Sequence, residues 1–154
     1  MREIKFRAWD AKSKKMFPIH RMEWDKISNA LTYLSGVDIH DKDSDFEGDV
    51  FYGGSATKMT GHPLVPQYTV MQYTGLNYKK DNQEVYEDDL CENEGVLYRV
   101  IWKDGQFALK VIKTLNVLAR GLAFPIVHYL EGDKLICKKV GTVWEHPHLL
   151  EGTE

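Results

Sequence analysis

Leu97-Tyr98-Arg99-Val100-Ile101-Trp102, Lys103-Asp104-Gly105-Gln106 and Phe107-Ala108-Leu109-Lys110-Val111-Ile112 read as two β-rich runs joined by an Asp-Gly pair. Asp-Gly supplies the positive φ angles that a two-residue hairpin turn needs, so the stretch is a β-hairpin. Around it the chain shows further short apolar runs separated by turn formers, which indicates a mainly β protein.

Upstream, Tyr68-Thr69-Val70-Met71-Gln72-Tyr73 is a strand with Tyr68, Val70 and Gln72 on one face and Thr69, Met71 and Tyr73 on the other. Thr74-Gly75 ends it, Asn77 to Gln83 is a polar turn, and order resumes at Val85-Tyr86 before Glu87-Asp88-Asp89-Leu90. Downstream, Leu115, Leu118 and Leu122 have the spacing of a helical turn. Ile126 to Leu130 reads as a strand, Glu131-Gly132-Asp133-Lys134 as its turn, and Leu135 to Trp144 as the closing strand, where Gly141 suggests a bulge or a close backbone approach. Counting strands from 67 to 150 gives a small bent β-barrel of the Src-homology-three kind.

At the start, Ile4 to Trp9 alternates as a half-buried strand, and Met16-Phe17-Pro18-Ile19 returns as its hairpin partner, with Pro18 favouring an edge. Ile27 to Leu34 fits a further strand carrying Leu31 and Tyr33 or a short helix, of which the strand is preferred. The chain of 154 residues is therefore expected to be a single domain, with an N-terminal hairpin region over 1–35, an irregular acidic and Gly-rich insertion over 36–66 and the barrel over 67–150.

Three blocks resemble the YopX family, a group of phage and prophage proteins with no assigned biochemical activity. Tyr86-Glu87, Asp89 and Leu90 match its Tyr-Glu-Gly-Asp-aliphatic pattern, with Asp88 in place of Gly. Asp is among the few residues that tolerate the left-handed region, so the turn can survive. Arg2 to Asp10 with Lys15-Met16 resembles the family's opening, and Val140 to Leu150 its ending, with Thr142 and His146 where Asn is usual. The resemblance implies a fold and a phage or prophage setting, not a mechanism.

A net charge of -3 disfavours a general nucleic-acid binder, since phosphate contacts need a concentrated basic surface. No signal peptide and no membrane-length apolar run is read, which points to the cytoplasm of a bacterial host. Cys91 and Cys137 are far apart without Cys-x-x-Cys spacing, so neither a disulfide framework nor zinc is signalled, and both read as buried or half-buried. Asp41, Asp43 and Asp45 have calcium-loop spacing, but Phe46 and Tyr52 stand where such a loop needs Gly and Glu, so the stretch reads as a solvated acidic loop.

No nucleophile motif and no phosphate loop is present, so no catalytic residue, metal or cofactor is assigned. Glu87 and Asp89 could share a magnesium ion, but a turn cap at Asp89 with the other carboxylates solvated is the simpler reading and is preferred. Aromatics make up 12% of the chain. Trp9, Tyr73, Tyr86 and Trp102 are the candidate binding residues, and Gly75, Glu87, Asp89 and Gly141 the motif and turn positions. The expected function is a non-enzymatic interaction protein that binds a protein partner and forms homo-oligomers through aromatic-rich edges, without membrane contact. One alternative is a nucleic-acid-binding barrel using Arg7, Lys79, Lys80, Arg99 and Lys103, and a weaker one a metal-dependent enzyme built on Glu87 and Asp89.

Overall fold

The computed structural model describes residues 3–27, 29, 31–37, 45–49 and 68–151, with backbone alone at 37 and 45–49. Its regular structure is β-strand with short 3-10 turns, and the chain divides into two compact units, one over Lys5–Val70 and one from Met71 onward together with the first four residues.

The N-terminal unit holds β1 (Phe6–Asp10), β2 (Lys15–Trp24), β3 (Leu31–Val37) and β4 (Asp45–Asp49), each antiparallel to the next. Asp10 builds the first turn: its carboxylate accepts from the Lys12 N–H at 2.9 Å and the Ser13 hydroxyl at 2.7 Å, so Lys14 can sit at φ 56°. The expected half-buried β1 is instead covered on both faces, because Arg7, Ala8, Trp9 and Asp10 are all buried. Pro18 is not at an edge either. Lys15 to Pro18 pairs with β1 and Ile19 to Trp24 pairs with β3, so the residue without an N–H stands where β2 changes partner. Ala8, Phe17, Leu31 and Leu34 form the core with Tyr68, whose ring meets Phe17 edge-on at 6.0 Å.

The acidic stretch expected as a loop is strand over Asp45–Asp49. Asp41, Asp43 and the Gly-rich run from 50 to 66 lie outside the described residues, and the calcium reading lies there with them.

β5 (Tyr68–Tyr78) does not end at Thr74-Gly75 but runs through it. Gly75 has φ 87°, and the register with β6 (Glu84–Tyr86) passes from Tyr73↔Tyr86 to Asn77↔Glu84, so β5 carries a bulge there. Thr74 stabilises the bulge by donating its hydroxyl to the Val85 carbonyl at 2.8 Å and accepting from the Leu76 N–H at 3.2 Å. β7 (Asp89–Asn93), β8 (Val96–Lys103) and β9 (Gln106–Lys113) follow as a meander. Asp104-Gly105 makes the anticipated turn, with φ 54° and 79°. Glu94-Gly95 makes a second one between β7 and β8, with φ 50° and 78°, in a residue pair that carries no strong turn signal.

β10 (Ala123–Pro125) pairs with β9, and β11 (Leu130–Glu131) with β12 (Lys134–Leu135). The strand expected over Ile126 to Leu130 is mostly a 3-10 turn, Ile126–Tyr129. The single closing strand expected from Leu135 to Trp144 splits in two: Leu135 pairs with Tyr78 of β5, whereas β13 (Lys138–Thr142) pairs with β7. The five-stranded sheet therefore has the order β10-β9-β8-β7-β13, and its end strands do not meet. Neither sheet closes, so the architecture is mainly β with open sheets and not the expected barrel. Tyr78, Val85, Cys91, Val100, Leu109, Leu135 and Cys137 fill the core of this unit. Among the described residues, no helix is long and apolar enough to cross a membrane.

Candidate functional site

The Tyr86 to Asp89 turn is tied by hydrogen bonds to several strands of the C-terminal unit. Asp88 sits at φ 66°, the conformation the family's Gly would suit. Its N–H donates to the Val100 carbonyl at 2.8 Å and its carbonyl accepts from the Val143 N–H at 3.0 Å. Its side chain occupies both flanks: Arg99 donates Nε and Nη2 to Oδ1 at 3.0 and 2.8 Å, and the Trp144 indole donates to Oδ2 at 3.0 Å. The Asp that replaces Gly thus ties β8 to the segment after β13. Asp88→Ala and Asp88→Gly lose the same side-chain bonds, but only Ala keeps a Cβ at positive φ. The Gly variant is expected to be more stable than the Ala variant by about 1 kcal/mol in urea unfolding. Equal midpoints would show that the turn carries no backbone strain.

Asp89 is fully buried and accepts from the Tyr78 hydroxyl at 2.8 Å and the Tyr86 N–H at 3.1 Å, with the Lys139 ammonium 3.7 Å away. Glu87 accepts from the Gln72 N–H at 2.8 Å. The two carboxylates expected to share an ion are thus each engaged by protein donors. Among the described residues, no three His, Cys, Asp or Glu side chains gather as a metal site.

Gly141 stands at a register shift between β13 and β7 and also at a close approach, since a Cβ there would lie 2.5 Å from His146 Nδ1. That nitrogen accepts from the Thr142 N–H at 3.2 Å. His146 therefore acts as an acceptor where the family's Asn would sit, and the Thr142 hydroxyl exchanges bonds with Glu145.

The candidate aromatics separate by burial. Trp9 is buried in the N-terminal unit, and Tyr73 and Tyr86 are buried against each other with ring centroids 5.4 Å apart. Trp102 is 52% exposed and stands edge-on to Phe107 at 4.8 Å. Among the cations, Arg7 is buried, Arg99 is held by Asp88 and Lys79 pairs with Glu131. Cys91 and Cys137 are free and buried, and the hydrogen bond between them, together with burial, pushes the Cys91 thiol up. The same bond holds the Cys137 thiol below its ordinary value. Burial, then the hydrogen bond to Tyr129, pushes the Tyr98 phenol well above its usual range.

A group of exposed apolar side chains follows β9. Leu115 is fully exposed, Leu118 is 85% exposed, and Val117, Leu122 and Val127 are each at least half exposed. The turn that presents the first of these is ordered from within. Asn116 caps the 3-10 turn Val117–Ala119 by accepting from the Leu118 N–H at 3.1 Å, and the Val111 N–H to Leu122 carbonyl bond at 2.8 Å closes the base. Sequence reasoning misses this surface because Leu115, Leu118 and Leu122 have the spacing of a buried helix face. The one signal available is that no carboxylate occurs from 105 to 130.

The chain is similar to the crystal structure of protein EF1440 from Enterococcus faecalis, at 21% identity and a TM-score of 0.56, over 98% of this chain and 100% of that one. At that identity the likeness shows the fold alone. No curated protein matches the chain. The model of the YopX protein family matches residues 5–151, which takes in the Tyr86 to Leu90 turn, the Gly141 approach and the exposed turn at Leu115. The chain belongs to the YopX family.

Proposed function

We propose that this is a non-enzymatic interaction protein of phage or prophage origin, working in the bacterial cytoplasm, that binds a protein partner and self-associates. The observation that carries the reading is the exposed set Leu115, Val117 and Leu118 on a turn whose own hydrogen bonds hold it in place. Contiguous exposed apolar side chains on an ordered scaffold are characteristic of interaction surfaces. The alternatives have less support. Of the five cations of the nucleic-acid reading, Arg7 is buried and Lys79 and Arg99 face carboxylates, which leaves Lys80 and Lys103 exposed, and the metal-enzyme reading needs Glu87 and Asp89, which already accept protein hydrogen bonds.

The test is capture of partners from bacterial lysate by the tagged protein after nuclease treatment, compared with a Leu115→Ser, Leu118→Ser variant. Both residues are exposed, so the variant keeps its urea midpoint. A partner retained after nuclease should bind the variant about tenfold more weakly or worse, because burying one leucine contributes about 1.5–3 kcal/mol. Equal capture by the variant would remove this surface from the reading. Loss of every partner on nuclease treatment would shift the assignment to nucleic acid.

A further inference from the structure

The loop that carries Leu115, Val117 and Leu118 is closed at its base. Val111 makes two backbone bonds across it, donating to the Leu122 carbonyl at 2.8 Å and accepting from the Gly121 N–H at 2.9 Å. Within the loop, the Thr114 hydroxyl accepts from the Asn116 N–H at 3.3 Å, and the Asn116 carbonyl accepts from the Ala119 N–H at 3.0 Å. A loop whose ends are joined and whose backbone groups are bonded internally keeps its shape while its apolar side chains face water. An occupant therefore meets a fixed arrangement and is spared the cost of ordering it.

The same surface has a charge. Lys110 is exposed and stands between Arg99 of β8 and Ala123 of β10, and Lys113 is half-buried opposite Leu97. Arg99 is held by Asp88, whereas among the described residues neither Lys110 nor Lys113 pairs with a carboxylate. From 105 to 130 the chain has no Asp or Glu, although its net charge is -3. Cations placed beside apolar side chains, with no counter-charge of their own, are complemented by an acidic occupant.

Building on the interaction surface proposed above, we infer that its partner is an acidic apolar segment of a different protein. Leu115, Val117 and Leu118 take the apolar side chains of that segment, and Lys110 and Lys113 its carboxylates. A second copy offering the same loop would set like charges against each other. An anionic membrane is the poorer occupant too. Clusters that recognise such lipids hold about four to eight Lys or Arg, whereas the stretch from 105 to 130 has Lys110, Lys113 and Arg120, on a chain of net negative charge.

Selection by the full chain from a random peptide library displayed on filamentous phage tests this, in parallel with the Leu115→Ser, Leu118→Ser variant and a Lys110→Glu, Lys113→Glu variant. The wild type is expected to enrich peptides that combine Asp or Glu with Leu, Phe or Trp. A synthetic copy of the most enriched peptide should bind less tightly as salt rises, and should bind the Lys→Glu variant at least about tenfold more weakly in fluorescence anisotropy. That variant should instead select apolar peptides bearing Lys or Arg, which also shows that it is folded. The Leu→Ser variant should enrich neither class. Wild-type enrichment without an acidic bias overturns the inference, as does a preference unchanged by the charge reversal or by the loss of both leucines. Binding of phosphatidylglycerol vesicles by the wild type, with no peptide enriched, overturns it in favour of a membrane surface. A lysate partner that is lost by the Leu→Ser variant and retained by the Lys→Glu variant overturns the acidic partner and leaves the interaction surface standing.

Discussion

Asp89→Ala is expected to lower the unfolding free energy by about 3–5 kcal/mol, the range for breaking a buried charged contact by removing one partner. The carboxylate has no solvent exposure, and one of its oxygens serves both the Tyr78 hydroxyl and the Tyr86 N–H. Alanine leaves the phenol and the N–H without that acceptor, each buried group stranded in this way costing about 1–3 kcal/mol, and takes the opposite charge from beside the half-buried Lys139. Asp89→Asn keeps the shape and one acceptor oxygen but not the charge, so its loss should be intermediate. Urea unfolding followed by tryptophan fluorescence reads both variants. A loss below about 1 kcal/mol for Ala would mean that water replaces the carboxylate, and Asp89 would no longer count as the anchor of the turn.

Gly36→Ala is expected to cost about 3 kcal/mol, at the upper end for overpacking, or to abolish folding of the N-terminal unit. A Cβ at Gly36 would lie 2.1 Å from the Pro18 carbonyl oxygen and 2.6 Å from Phe17 Cδ2. The ring belongs to a core residue that is 1% exposed, and the oxygen belongs to the backbone of β2, so neither yields by rotating a side chain. Gly36 pairs with Ile19 on one side and Phe46 on the other, which ties any shift of β3 to both neighbours. Adding Phe17→Leu should recover only part of the loss, because it relieves the ring and leaves the carbonyl. A Gly36→Ala midpoint equal to that of the wild type would show that the strands separate there at little cost.

These two positions differ in how legible they are. Asp89 lies in the family's motif, and its capping of the Tyr86 N–H is a local bond that a short carboxylate after a turn commonly makes. Gly36 carries no motif, because its requirement comes from a strand 18 residues away. Gly141 falls between them: a glycine inside a strand pattern signals a bulge or a close approach, and the structure contains both, but only the fold identifies His146 as the neighbour.

The features legible in the order of residues are local. The Asp104-Gly105 hairpin, the strand character of the meander and the tolerance of Asp88 for positive φ all follow from backbone preferences of a few adjacent residues. The remaining features arise from pairing between distant segments. Pro18 sits at a change of strand partner, the segment from Leu135 to Trp144 divides between two sheets, and β10 and β13 never meet to close a barrel. Pairing of distant strands leaves little trace in the order of residues, since the same alternating run fits either neighbour. Exposure has the same character. Tyr86 and Leu115 are both apolar residues in apolar patterns, and one is buried and the other fully open because burial depends on what the fold brings alongside.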